Sequence, residues 1–439
     1  MVTKEPILRV GIIDGRQRIN GEFAGEFDIN GRSIDGAFAV FSEGQSVVLS
    51  DLRQNVVARG NSILCVHRHD STFTLHDVTI GSGFHWERNQ IQAFRGDALF
   101  LRREEGTVVA INVIPLEQYL ASVISSEMNA SAPFEFLKAH AITSRSWLIA
   151  MLERKSGHRA KGARTLQNEN ELIRWYDRED HDLYDVCADD HCQRYQGIMS
   201  VSAAVTKAVE GTNGQCLVHE HQVCDARFSK CCGGLTEQFE SCWEDIHVPF
   251  LESVSDSIRE HKRVVNESDA EEWIRSSPEA YCNTSGGNML RQILPSFDRE
   301  TTDSFRWKVI YRREKLESLL QEKSGFDFGT LQNLVPVERG PSGRIVKLRI
   351  EGTRRSIAVG KELEIRRWLS KSHLYSSAFI VEREPAGGDF PERFILHGAG
   401  WGHGVGLCQI GAAVMAMKGM RAEEILKHYF RGAELKKLY

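Results

Sequence analysis

From Pro6 to about Ile114 the apolar positions fall in short alternating runs: ILRVGII, SVVLS, STFTLHDVTI, QIQAF, ALFL and TVVAINVI. Alternation by two puts successive side chains on opposite faces of a strand, so each run can bury one face. Asn30-Gly31, Asp35-Gly36 and Arg95-Gly96-Asp97 separate runs as turns. Residues 1–110 are therefore predicted to form a mainly antiparallel β region.

At Pro115 the period changes. Leu116, Tyr119, Leu120, Val123 and Ile124 recur at helical spacing, and this helix is predicted to end within Ser125–Ala130. Ser131 and Pro133 are start signals for a second helix. Its apolar seam, Leu137, Ala141, Ser144, Leu148 and Met151, includes small residues suited to close packing. Residues 158–200 read as polar and irregular. Residues 256–300, charged and rich in Asn, Ser and Gly, read as a surface excursion. Strands return at Arg344–Ile350 and Ala378–Arg383, and helices at about Gly411–Met417 and Ala422–Tyr429. The pattern predicts an α+β chain in two parts, 1–110 and 111–439, the second interrupted by an insertion near 256–330.

With 439 residues the chain exceeds one hydrophobic core, in keeping with that division. A net charge of −5 without a basic block argues against a nucleic-acid partner. The longest apolar runs, such as Val108–Ile111 and Trp147–Leu152, are too short to cross a bilayer. No secretory signal is visible in the first ten residues, which lack an apolar core.

Seven of the ten cysteines fall between Cys187 and Cys242, while Cys65, Cys282 and Cys408 stand apart. His181, Cys187, His191 and Cys192 form an H-x5-C-x3-H-C set, and a compact loop of two imidazoles and two thiolates suits tetrahedral zinc. Four protein ligands leave no position for water, so such a zinc is structural; a Cys187–Cys192 disulfide is the competing reading, and His191 beside Cys192 speaks against it. Cys216, Cys224, Cys231, Cys232 and Cys242 show no clear metal spacing. They read as packed thiols or one disulfide, with a catalytic cysteine served by His219, His221 or His403 as a third reading.

Glu127 sits at the junction of the two predicted helices, among Val123, Ile124 and Met128. Desolvating a carboxyl group favours its protonated form, the form from which a general acid donates; an exposed glutamate at a helix end is the plainer reading. Near the other end, GAGWGHGVGLCQIG at 398–411 carries six glycines, which let backbone amides and His403 approach a ligand closely. A glycine-rich turn forced by tight packing would read the same way. Gly233-Gly234, followed by Thr236-Glu237, suggests a second such close approach.

Taken together, VIPLEQYLASVISSEM (113–128), FLKAHAITSRS (136–146), FSKCCGGLTE (228–237) and GAGWGHGVGLCQIGA (398–412) resemble, in order, the motifs of the SpoIID/LytB domain. The resemblance implies a catalytic α+β domain with a long helix pair and a cysteine-rich loop. It implies a peptidoglycan lytic transglycosylase acting on peptide-free strands of N-acetylmuramic acid and N-acetylglucosamine. Glu127 is then the catalytic acid and base, giving 1,6-anhydro ends. His181, Cys187, His191 and Cys192 become zinc ligands, and no organic cofactor is implied. Arg145, Gly233, Gly234, Thr236, Glu237, Trp401, His403 and Gln409 are expected along the sugar groove. The resemblance implies an extracytoplasmic location and peptidoglycan as partner, with a cell-wall amidase as a further one. Other relatives are amidase enhancers, so a non-catalytic peptidoglycan-binding role is the alternative. Three positions depart from the pattern: Asn129 stands where Pro is common, Cys232 where Ser or Thr precedes Gly-Gly, and Leu407-Cys408 where Met-Ser precedes the glutamine.

Overall fold

The computed structural model describes residues 2–82, 87–156, 164–175, 181–189, 191–284, 287–295, 304–385 and 390–439. The fold is α+β. It divides into two compact units that interleave in sequence: residues 2–130, 180–214 and 438–439 form one, and residues 131–179 and 215–437 the other. Position 110 falls inside the first of these.

The first unit is built on an eleven-stranded sheet. Its main path runs in the order 186–187, 7–16, 108–115, 97–102, 62–67, 18–29, 32–43, 46–51 and 56–60; strand 72–80 pairs with 18–29, and 88–95 with 72–80. All six runs expected as strands are strands. Strand Arg18–Ile29 buries Ile19, Phe23, Phe27 and Ile29 and turns Arg18 and Glu22 outward, a two-residue period interrupted at the exposed Gly25. Phe23, Phe27, Phe38, Phe73, Phe94 and Phe100 meet in the core, with Phe23 on Phe38 at 4.3 Å between ring centres. Asn30-Gly31 is the expected hairpin turn; both residues have positive φ, +51° and +83°. Asp35-Gly36 is not a turn. It lies within strand Arg32–Glu43, where Gly36 (φ +77°) accommodates a register break opposite Phe23–Phe27. Helix α1 (Leu116–Glu127) follows strand 108–115 directly.

The second unit carries helix α2 (Phe134–Ser156), whose expected seam is buried throughout. Ser146 Oγ accepts from Leu217 N at 2.8 Å, so a small polar residue of the helix is tied to strand Gln215–His219. A five-stranded sheet orders as 164–167, 171–175, 356–360, 345–352 and 331–339, and a three-stranded one as 306–312, 391–399 and 379–385. Leu316, Leu348, Ile350, Trp368, Phe379 and Phe394 belong to the core associated with them. The stretch 256–300 is not a surface excursion: Asp256, Ala270, Ile274, Tyr281 and Cys282 are buried. Its polar composition belongs to the outer face of helix Glu267–Arg275 and to loops, while a few spaced residues anchor it inward. No helix among the described residues is long and apolar enough to cross a membrane.

Candidate active site

Helix α1 begins at Leu116, just after Pro115, and stops where Met128 turns to extended backbone, its N–H still bonded to Ile124 O. Tyr119, Leu120, Val123, Ile124 and Met128 are fully buried and fix the helix against its unit. The last residue is Glu127, 8% exposed. Its Oε1 accepts from the Arg194 backbone N–H at 3.3 Å. One carboxyl group, fixed by a buried helix on one side and a backbone amide on the other, is thus withdrawn from bulk water.

The chain that supplies this amide is the histidine–cysteine loop. Val186–Cys187 adds to the sheet parallel to strand Ile7–Arg16, with Gly11 opposite Cys187. Gly11 is required there, since a Cβ would lie 2.6 Å from the Tyr184 ring. Past Cys187 the loop doubles back: Cys192 N bonds to Asp189 O, and Tyr195 N to Ala188 O. The ligand atoms of His181, Cys187, His191 and Cys192 all lie within 4.8 Å of one another. Cys192 Sγ is 3.4 Å from His181 Nε2 and 3.5 Å from His191 Nδ1. A thiolate and an imidazole on one tetrahedral zinc stand about 3.6 Å apart, from Zn–S and Zn–N lengths of about 2.3 and 2.05 Å. The donor set and spacings therefore fit zinc. Hydrogen bonding with Cys192, then with the two imidazoles, holds the Cys187 thiol far below its usual range despite burial.

Tyr119 joins the two features. Its ring stacks on Tyr195 at 5.1 Å, and Tyr195 donates its hydroxyl to Asn112 Oδ1 at 2.6 Å. Burial pushes the Tyr119 hydroxyl far above its ordinary pKa, reinforced by Cys192, Cys187, Tyr195 and Glu127.

In the other unit, the glycine-rich segment wraps a buried arginine. Arg344 donates through Nε and Nη2 to Gly402 O (3.2 and 3.1 Å) and through Nη1 to Cys232 O (3.1 Å) and Ser342 Oγ (2.9 Å). Gly404 has φ +78°, and a Cβ there would lie 2.3 Å from the guanidinium carbon. Gly406 (φ +73°) abuts Arg227 O in the same way. The glycines admit the protein's own groups, so the packing reading of this segment holds. His403 Nδ1 accepts from Val405 N at 3.0 Å, and its ring meets Trp243 edge-on. Burial first, then Arg227, Arg344 and Arg366, keeps the imidazole neutral, with its pKa well below the usual value.

The expected groove residues divide accordingly. Trp401 and His403 are half-buried. Arg145, Thr236, Glu237 and Gln409 are wholly buried and serve as internal props. Arg145 donates to Gln215 O, Thr236 Oγ1 accepts from Val254 N, and Gln409 meets His140 at 3.2 Å. Glu237 accepts from Gln238 N, Ser241 Oγ and Ser342 Oγ. Burial raises its pKa, against the lowering by those bonds. Gly233 and Gly234 leave room for Gly400 N and the Trp273 ring, so the close approach there is also intramolecular. Two further glutamates near Glu127 in sequence are engaged: Glu117 accepts from Tyr439 OH and Gly214 N, and Glu135 from Ala422 N and Lys138. Arg344 and the Arg194 amide have no local signal in the sequence, because an arginine's burial and a backbone amide's aim depend on the fold.

Residues 104–219 match the family model described as Stage II sporulation protein (SpoIID), which covers α1, α2 and the histidine–cysteine loop; residues 237–406 match a domain of unknown function, DUF8618. The likeness to the SpoIID family is thus borne out. Among relatives, the chain is 24% identical to Stage II sporulation protein D of Bacillus amyloliquefaciens over 326 residues, covering 74% of this chain and 75% of that one. It is 24% identical to the protein of that name from Bacillus subtilis (strain 168) over 331 residues, 74% and 76% of the two chains. An uncharacterized protein of Brachyspira hyodysenteriae is 24% identical over 342 residues, 78% of this chain and 72% of its own.

Proposed function

We propose that this chain is an extracytoplasmic lytic transglycosylase of peptidoglycan in which Glu127 serves as general acid and then general base. The observation that carries the reading is the withdrawn Glu127 carboxyl at the end of α1, bonded to the Arg194 N–H, within the segment matched to the SpoIID family. The protonated carboxyl donates to the glycosidic oxygen as it leaves C1 of N-acetylmuramic acid. The resulting carboxylate takes the proton of the same sugar's C6 hydroxyl, which closes onto C1. One group performs both steps, and water is not the nucleophile. A hydrolase of the common type needs a second carboxyl group at a set distance, whereas Glu117 and Glu135 are held by structural hydrogen bonds.

His181, Cys187, His191 and Cys192 would hold a zinc ion. Bound there, zinc supplies folding energy to the loop and no open coordination position. The loop carries Arg194, two residues beyond Cys192, so its shape sets the amide that holds Glu127.

The test is product analysis on peptide-free glycan strands. The wild-type chain is expected to release fragments with 1,6-anhydro ends, identified by mass. Glu127→Gln should lower their formation by about 10²–10⁴-fold with circular dichroism unchanged. Ordinary reducing ends would mean hydrolysis. Binding to the strands without product in the wild type would leave a docking protein that assists a separate amidase.

A further inference from the structure

We infer a second metal site in the other unit, in which Cys232, Cys282 and Cys408 thiolates and the Asp256 carboxylate hold one zinc ion. The ligand atoms of these residues all lie within 4.8 Å of one another, and every residue is 0–2% exposed. Cys232 Sγ and Cys282 Sγ are 3.6 Å apart. Two thiolates on a tetrahedral zinc stand about 3.8 Å apart, whereas a disulfide requires about 2.05 Å. Cys232, Cys282 and Cys408 are in no disulfide.

The surroundings call for a cation. Asp256 is wholly buried and makes no ion pair among the described residues; Oδ2 accepts from Cys282 N at 2.7 Å and Oδ1 from the Tyr429 hydroxyl. A buried carboxylate without a counter-charge is costly. The guanidinium of Arg306 lies nearby, but its hydrogen bonds go to backbone carbonyls of Gly233, Trp273, Phe305 and Ser276. The hydrogen bonds to Asp256 are the outer partners expected of a ligating carboxylate. Backbone amides also point at the sulfurs: Cys232 N at Cys408 Sγ (3.3 Å) and Gly234 N at Cys232 Sγ (3.4 Å). Three sulfurs and one oxygen form a soft, closed set suited to zinc.

The four ligands come from four separate stretches: the Gly-Gly turn, the strand-like segment at Ser255, the loop at Tyr281, and Cys408 at the start of helix Gln409–Met417. One ion there would brace the root of the glycine-rich segment. The inference stands apart from the proposed chemistry of Glu127.

Zinc content of the full-length chain, purified under reducing conditions, tests it. Two zinc ions per chain are expected, one after Cys187→Ser with Cys192→Ser, and one after Cys282→Ser with Cys408→Ser. Cobalt loading keeps the test sound if the second variant does not fold: the Cys187→Ser/Cys192→Ser chain should keep a thiolate-to-cobalt absorption, and Asp256→Asn in that background should shift it. A single zinc per chain that Cys282→Ser/Cys408→Ser leaves in place would overturn the site. So would loss of all cobalt–thiolate absorption in Cys187→Ser/Cys192→Ser, or a Cys232–Cys282 disulfide found by peptide mapping.

Discussion

Two clusters of side chains that could hold a metal ion lie among the described residues, and they are built in opposite ways. His181, Cys187, His191 and Cys192 come from twelve consecutive residues that turn back on themselves beside one strand. Cys232, Asp256, Cys282 and Cys408 span 176 positions and meet only because the second unit folds. A local set spends little loop entropy on closure, whereas a dispersed set relies on the surrounding core to bring its ligands together. The first should therefore govern one loop, and the second the cohesion of a whole unit.

The largest effect should follow from stranding a buried charge in the dispersed set. Cys408→Ser is expected to lower the stability of its unit by about 3–5 kcal/mol, the range for removing one partner of a buried charged group, as read by urea unfolding. Cys187→Ser should leave that transition in place, because its loop belongs to the other unit. Equal losses would erase the distinction. On activity the order should reverse. Cys192→Ser releases the turn that carries Arg194, and anhydro-end formation should fall about 10–100-fold, as for lost metal support. An unchanged rate would show that the loop does not hold Glu127.

The same contrast explains what the sequence made legible. The H-x5-C-x3-H-C loop, Glu127 at the helix junction and both long helices were readable because their signals are local. Strand Arg18–Ile29 was not, because its outward arginine and glutamates and its two glycines obscure the alternation of Ile19, Phe23 and Phe27. Asp256 and Cys282 were hidden inside a stretch whose average composition is that of a surface. Cys232 and Cys408 are two of the positions where the chain departs from the SpoIID pattern, and only the fold shows that both departures meet. Arg344 carries no local sign at all, though it holds both the Gly-Gly turn and the glycine-rich segment.

A smaller perturbation probes the neck of the region matched to DUF8618, whose two ends are joined where Glu237 bridges Val405 and its N–H bonds to Gly404 O. Glu237→Gln replaces one of the two acceptor oxygens that serve Gln238 N, Ser241 and Ser342. Loss of a buried hydrogen bond costs about 1–3 kcal/mol. Faster amide exchange at position 237 and at Val405 should report the loosening. Wild-type exchange rates there would remove Glu237 from the account.

The mildest test uses acid. The folded chain keeps His403 neutral, its pKa depressed from 6.5 by burial and three arginines. As pH falls below about 6.5, the unfolded chain binds a proton that the folded chain refuses. The stability tied to this residue is thus full above that pH and declines below it, by at most about 1.4 kcal/mol per pH unit. His403→Gln keeps an acceptor for Val405 N and removes the titration, so stability measured from pH 7 to pH 5 should fall less steeply in the variant. The slope should not vanish, because burial also depresses His373, to about 4, and His428. Parallel slopes in wild type and variant would mean that His403 takes up its proton in the folded state, and that the glycine-rich segment is open enough to hydrate it.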